Sequence, residues 1–93
     1  MDTALALRMM LFCFDLLQYP QCPSFVPDII IDPDLDVLGR IDWDFFTTIT
    51  LRQWDEGIFC HEVAHFLQEF NGLPFSEEEA ERARHAWLRE GRC

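Results

Sequence analysis

Phe59-Cys60-His61-Glu62-Val63-Ala64-His65-Phe66 is the stretch on which the reading of the whole chain turns, because it contains His-Glu-x-x-His. On an α-helix, residues four apart sit one turn above each other, so His61 and His65 can both reach a single tetrahedral Zn²⁺. Glu62, about 100° round the helix from His61, then stands as general base toward water activated by the metal. Phe59, Val63, Phe66 and Phe70 recur at spacings of four and three and form one apolar stripe, which predicts the helix itself. His61, His65 and Gln68 fall on the opposite side. The same pattern describes the polar face of an ordinary amphipathic helix, and the motif alone does not separate the two.

Outward from the motif, Asp55 is a good N-cap and Asn71-Gly72 a left-handed C-cap signal. Leu73-Pro74-Phe75 is a loop, after which Ser76 and Glu79 form a capping box for a final helix to about Glu90. Upstream, Phe45 to Arg52 is the strongest strand, β-branched and alternating around Thr48 to Leu51. Ile29-Ile30-Ile31 lies between Pro27 and Pro33 and reads as a strand within Val26 to Asp32. A further strand runs through Val37 and Leu38 before Gly39, or from Arg40 to Trp43. Asp2 or Thr3 caps a first helix to about Gln18, with Leu5, Met9, Phe12, Phe14, Leu16 and Leu17 as its apolar surface, and Tyr19-Pro20-Gln21-Cys22-Pro23 stops it. The expected fold is α+β: an N-terminal helix, a small sheet of two or three short strands, the His-Glu-x-x-His helix and a C-terminal helix, in one compact domain over residues 1–93.

Composition supports a packed core, with 49% hydrophobic residues, nine Phe and three Trp in 93 residues. Against 17 Asp+Glu stand 7 Lys+Arg, a net charge of −10. Such a surface repels nucleic acid and anionic membrane and attracts basic partners. Cys13, Cys22, Cys60 and Cys93 form no C-x-x-C pair and predict free thiols in a reducing, cytoplasmic setting. Met9-Met10-Leu11-Phe12-Cys13-Phe14 is no signal peptide, since Asp2 replaces a basic start and no small-residue cleavage site follows. Arg8 and Asp15 break the only long apolar run, so no membrane span is expected.

With a leading helix, a short sheet and then a helix carrying His-Glu-x-x-His, the chain resembles the small zincins called minigluzincins. That resemblance implies His61 and His65 as zinc ligands, Glu62 as the base, and Thr47 to Leu51 as the edge strand along which substrate is held. The third ligand departs from one branch of the family, because Gln68 and Asn71 stand where metzincins carry their Gly and third His. Gluzincins take a Glu from the next helix, and Glu77, Glu78, Glu79, Glu81 and, further on, His85 are available. Antiparallel packing about the loop brings Glu81 near the level of His65, and Glu77 and Glu81 flank the face carrying Ala80, Ala83 and Trp87, so Glu81 is the expected ligand. Acidic residues in a first helical turn are also favoured by the macrodipole without any metal.

Asp28, Asp32, Asp34, Asp36, Asp42, Asp44, Asp55 and Glu56 face only Arg40 and Arg52. A calcium loop is excluded, since Val37 and Trp43 occupy the places where the pattern needs Gly and Glu. In an extended segment, alternate carboxylates project about 6.6–7 Å apart, a spacing that can imitate backbone phosphates. In size and charge the chain is similar to phage-encoded anti-CRISPR proteins, several of which block DNA access in this way. Charge therefore points first to a monomeric inhibitor-type binding protein on a zincin-like scaffold, whose Asp28, Asp32, Asp34, Asp36, Asp42 and Asp44 occupy the nucleic-acid groove of a basic partner. The alternative is a minimal zinc-dependent metallopeptidase using His61, His65 and Glu62.

Overall fold

A computed structural model describes residues 3–43 and 46–91. The order is α1 (Thr3–Leu17), β1 (Asp28–Ile31), β2 (Gly39–Trp43), β3 (Thr47–Leu51), α2 (Glu56–Phe70) and α3 (Glu77–Ala86), the last running on into a wider π-helical turn, Trp87–Gly91. The α+β layout expected above is the one found. Asp2, Asp44, Phe45, Arg92 and Cys93 lie outside the described residues, so the Asp2 cap and the Asp44 contact surface have no structural counterpart here.

The caps follow the sequence. Asp55 accepts from the Ile58 N–H at 3.0 Å, and Ser76 Oγ accepts from the Glu79 N–H at 3.2 Å. Gly72 takes φ +69°, the left-handed conformation a helix end needs and a Cβ disfavours. Helix α1 ends at Leu17, and Gln18 directly after it is left-handed at φ 55°.

The sheet differs from the expectation in one respect that matters for the site. Strand order is β1-β3-β2, with β1 parallel and β2 antiparallel to β3. Thr47–Leu51 is therefore the central strand, hydrogen-bonded on both sides, and β2 is an edge. The Arg52 N–H donates to the Leu38 carbonyl at 3.1 Å, so in the alternating antiparallel pattern Arg40 and Asp42 turn their backbone groups to β3. Gly39, Ile41 and Trp43 turn theirs outward.

Helix α2 is the centre of the molecule. Nine of its fifteen residues are buried, including His65 and Gln68, which the helical wheel assigned to the polar side. They are covered because α3 packs over that side, so α2 is enclosed by α1, the sheet and α3 together. Phe59, Val63, Phe66 and Leu67 meet Met9, Met10, Cys13, Ile49, Leu51, Ala80, Ala83 and Trp87 in one core cluster. Small residues on α3, Ala80 and Ala83, allow the close helix approach on which the site depends. Among the described residues no helix is long and apolar enough to cross a membrane.

Candidate metal centre

His61 and His65 stand one turn apart on α2, and their Nε2 atoms approach to 3.1 Å. The outer nitrogen of each ring is occupied. His61 Nδ1 lies 2.7 Å from Glu81 Oε2, and His65 Nδ1 lies 2.8 Å from Gln68 Oε1. A carboxylate and an amide oxygen can only accept, so both are satisfied when Nδ1 carries the proton, the tautomer that turns each Nε2 lone pair inward. The third member is Glu77, whose Oε1 is 2.8 Å from His65 Nε2 and whose Oε2 is 3.2 Å from His61 Nε2.

Three acceptor groups thus converge with no donor of their own between them. With both rings protonated at Nδ1, such a cluster is complementary to a metal ion. The set suits zinc: two imidazole nitrogens and one carboxylate, each with a ligand atom within 4.8 Å of the others. Tetrahedral bonds of 2.0–2.1 Å require ligand atoms about 3.3 Å apart, close to the separations observed. Glu77 is the most accessible of the three, its side chain 76% exposed against 5% for His65. That leaves one open side.

Glu81 takes a different place from the one expected. It sits on the Nδ1 side of His61, behind the cluster, and is itself gripped by Arg84 through Nε at 3.0 Å and Nη2 at 2.7 Å. The Arg84 guanidinium, aided by the His61 contact and resisted by burial, holds the Glu81 carboxyl down to about 2. Arg84, Glu81 and His61 form a chain of contacts that orients one ring. The helical repeat that places Glu81 on α3 also places Glu77, one turn earlier, on the same face. Sequence spacing identified both candidates, but which one met Nε2 depended on the height of the α2–α3 loop.

No family model, curated protein or solved structure matches this chain. Its chemistry must therefore be read from its own groups.

Glu62 is half-buried beside the pair, and burial lifts its carboxyl above the usual carboxylate range, with the Glu77 charge adding and the two histidines opposing. A carboxylate so raised is a better proton acceptor. Gly39 of β2 makes the position possible: a Cβ there would stand 3.0 Å from Glu62 Cγ. A cleft of about 610 Å³ opens alongside, lined by Val37, Leu38, Ile58, Arg52, His61 and Glu62 among others. That is the size of a small-ligand or side-chain pocket.

The aspartates singled out between Asp28 and Asp42 do not converge. Asp28 is on β1, Asp42 pairs with Arg40 at 3.1 Å, and Asp36 reaches the rim of the cleft. Asp32 to Asp36 is not extended. Asp32 Oδ1 accepts from the Asp34 N–H at 3.0 Å and Leu35 is buried between them, so these side chains leave a turn rather than repeat along a strand. Cys13, Cys22 and Cys60 are free thiols. Cys13 and Cys60 touch at 3.5 Å in the core, and that contact, with burial, pushes the Cys13 thiol up and keeps it unreactive.

Proposed function

We propose that this chain is a minimal zinc-dependent peptidase, with His61, His65 and Glu77 as ligands and Glu62 as general base. One observation carries the proposal: the two Nε2 atoms and the Glu77 carboxylate meet at 2.8–3.2 Å while both Nδ1 atoms face acceptors. When bound there, zinc supplies a Lewis acid and acidifies water. Glu62 accepts the proton from the attacking water and passes it to the leaving nitrogen, a role its raised proton affinity suits. An extended substrate adds to the outward-facing backbone of Gly39, Ile41 and Trp43 on β2, in place of the β3 edge implied by the resemblance to minigluzincins. Glu81 and Arg84 keep the His61 ring in orientation.

The test is elemental mass spectrometry of the purified, untagged protein beside His61→Ala. Near one zinc per chain, lost in the variant, is expected; absence of zinc from the wild type even after reconstitution overturns the proposal.

Charge favours a second reading, a DNA-mimicking inhibitor of a basic nucleic-acid-binding partner, of the anti-CRISPR kind. Its support is the net charge of −10 together with Asp28, Asp32, Asp34 and Asp36, none of which has an ion-pair partner among the described residues. Under that reading binding falls steeply with salt and survives His61→Ala. Both readings place the protein in the cytoplasm, where the free thiols Cys13, Cys22 and Cys60 stay reduced.

A further inference from the structure

Gln68 is 1% exposed, and every polar atom of its side chain is engaged. Its Oε1 accepts from the Ser76 N–H at 3.1 Å, and its Nε2 donates to the Ser76 carbonyl at 3.0 Å. A backbone N–H can only donate and a carbonyl can only accept, so Ser76 alone fixes which end of the amide is oxygen. That oxygen also faces His65 Nδ1 at 2.8 Å. The amide oxygen thereby offers Nδ1 an acceptor that competes with the Glu77 carboxylate, 2.8 Å from Nε2, for the proton of the neutral ring.

Ser76 is the N-cap of α3, and Glu77 is the next residue. One buried amide therefore touches both the ring of one proposed ligand and the peptide that launches the helix carrying another. We propose that Gln68 is a positioning residue that couples the tautomer of His65 to the placement of Glu77. The proposal rests on the metal reading for its functional consequence, but the coupling itself belongs to the metal-free protein. No other side chain among the described residues bonds both His65 and Ser76. Asn71, the C-cap of α2, is turned the other way, to Gln21 and Leu67.

Two measurements test it. The first is ¹⁵N NMR of the imidazoles in metal-free protein at a pH where the rings are neutral. His65 is expected as the Nδ1–H tautomer in the wild type and in Gln68→Glu, which keeps the acceptor, and as a mixture in Gln68→Leu. An Nε2–H wild-type ring, or an unchanged tautomer in a folded Gln68→Leu, overturns the proposal. The second is zinc affinity by chelator competition. Gln68→Leu is expected to weaken zinc about 10–100-fold, Gln68→Glu to restore most of that, and Gln68→Leu to cost a smaller factor in a Glu77→Ala background. Equal factors in the two backgrounds would mean that Gln68 and Glu77 act independently, which also overturns it. A wild type that binds no zinc sinks the peptidase reading, and the tautomer measurement then decides this one alone.

Discussion

Two acidic regions of this molecule have similar composition and opposite structure. The first turns of α3 carry Glu77, Glu78, Glu79 and Glu81; the stretch from Asp28 to Asp42 carries five aspartates. In α3 the helical repeat sends Glu77 and Glu81 to one face, where each meets a histidine nitrogen, and Glu79 to the Tyr19 hydroxyl. In the other stretch a strand, a turn and a second strand scatter the side chains. Asp42 finds Arg40, Asp32 finds a backbone N–H, and Asp34 and Asp36 face solvent. Carboxylates become a site when a rigid repeat aims them at one point. A loop leaves them as net charge.

The largest effect that would break this contrast is on catalysis. Glu62→Gln is expected to lower peptide cleavage by about 10²–10⁴-fold while zinc content stays at the wild-type level. Cleavage that survives the substitution removes Glu62 from the chemistry. Next comes the division of labour within α3. Glu77→Ala is expected to weaken zinc by more than Glu81→Ala, for which about 10–100-fold is the usual cost of losing a partner behind a ligand. If chelator competition reverses that order, Glu81 is the ligand and Glu77 the support.

A smaller effect concerns how α3 is held. Tyr19 donates to Glu79, and burial, with that carboxylate, pushes its hydroxyl up to about 12. Tyr19→Phe is expected to lower stability by about 1–2 kcal/mol in denaturant melts near neutral pH. The native state keeps the Tyr19 proton to higher pH than the unfolded chain, whose tyrosines titrate near 10. The advantage of the wild type over Tyr19→Phe is therefore full below about pH 10 and fades as pH rises toward 12. A gap between the two proteins that does not narrow in alkali contradicts the assigned hydrogen bond. The smallest effect on the metal belongs to the scattered aspartates: Asp32, Asp34 and Asp36 all changed to Lys are expected to move zinc affinity by less than about threefold, since exposed charges are screened over distances near 8 Å. The same triple variant abolishes inhibition if the DNA-mimic reading is correct, so one protein separates the two functions.

Local signals carried much of this architecture. The caps at Asp55, Gly72 and Ser76 were legible because each is a short-range hydrogen bond or dihedral requirement. His61, Glu62 and His65 were legible for the same reason, since one helix sets their spacing. Sheet order was not. Thr47–Leu51 looks like any alternating strand, and only its pairing with β1, twenty residues earlier, makes it central. Nor could a helical wheel show that the polar side of α2 is covered. The clue was present in Ala80 and Ala83, small residues that let α3 lie against His65 and Gln68. Whether Glu77 or Glu81 comes level with the two Nε2 atoms is a matter of one helical turn of α3, whose start is tied to α2 by the Gln68–Ser76 bonds.

The parallel pairing of β1 with β3 has a consequence for how the chain is made. Synthesis runs from the N-terminus, so Ile29-Ile30-Ile31 leaves the ribosome well before Thr47–Leu51, the one strand it joins among the described residues. During that interval three consecutive isoleucines present an unpaired, sticky backbone, and Ile30 and Ile31 stay substantially exposed even in the finished protein. Pro27 and Pro33 flank the run and cannot donate to a ladder, and Asp28 and Asp32 add charge at its two ends. Prolines and charges flanking a β-branched run are the residue types that shorten an exposed strand and disfavour its pairing with other chains.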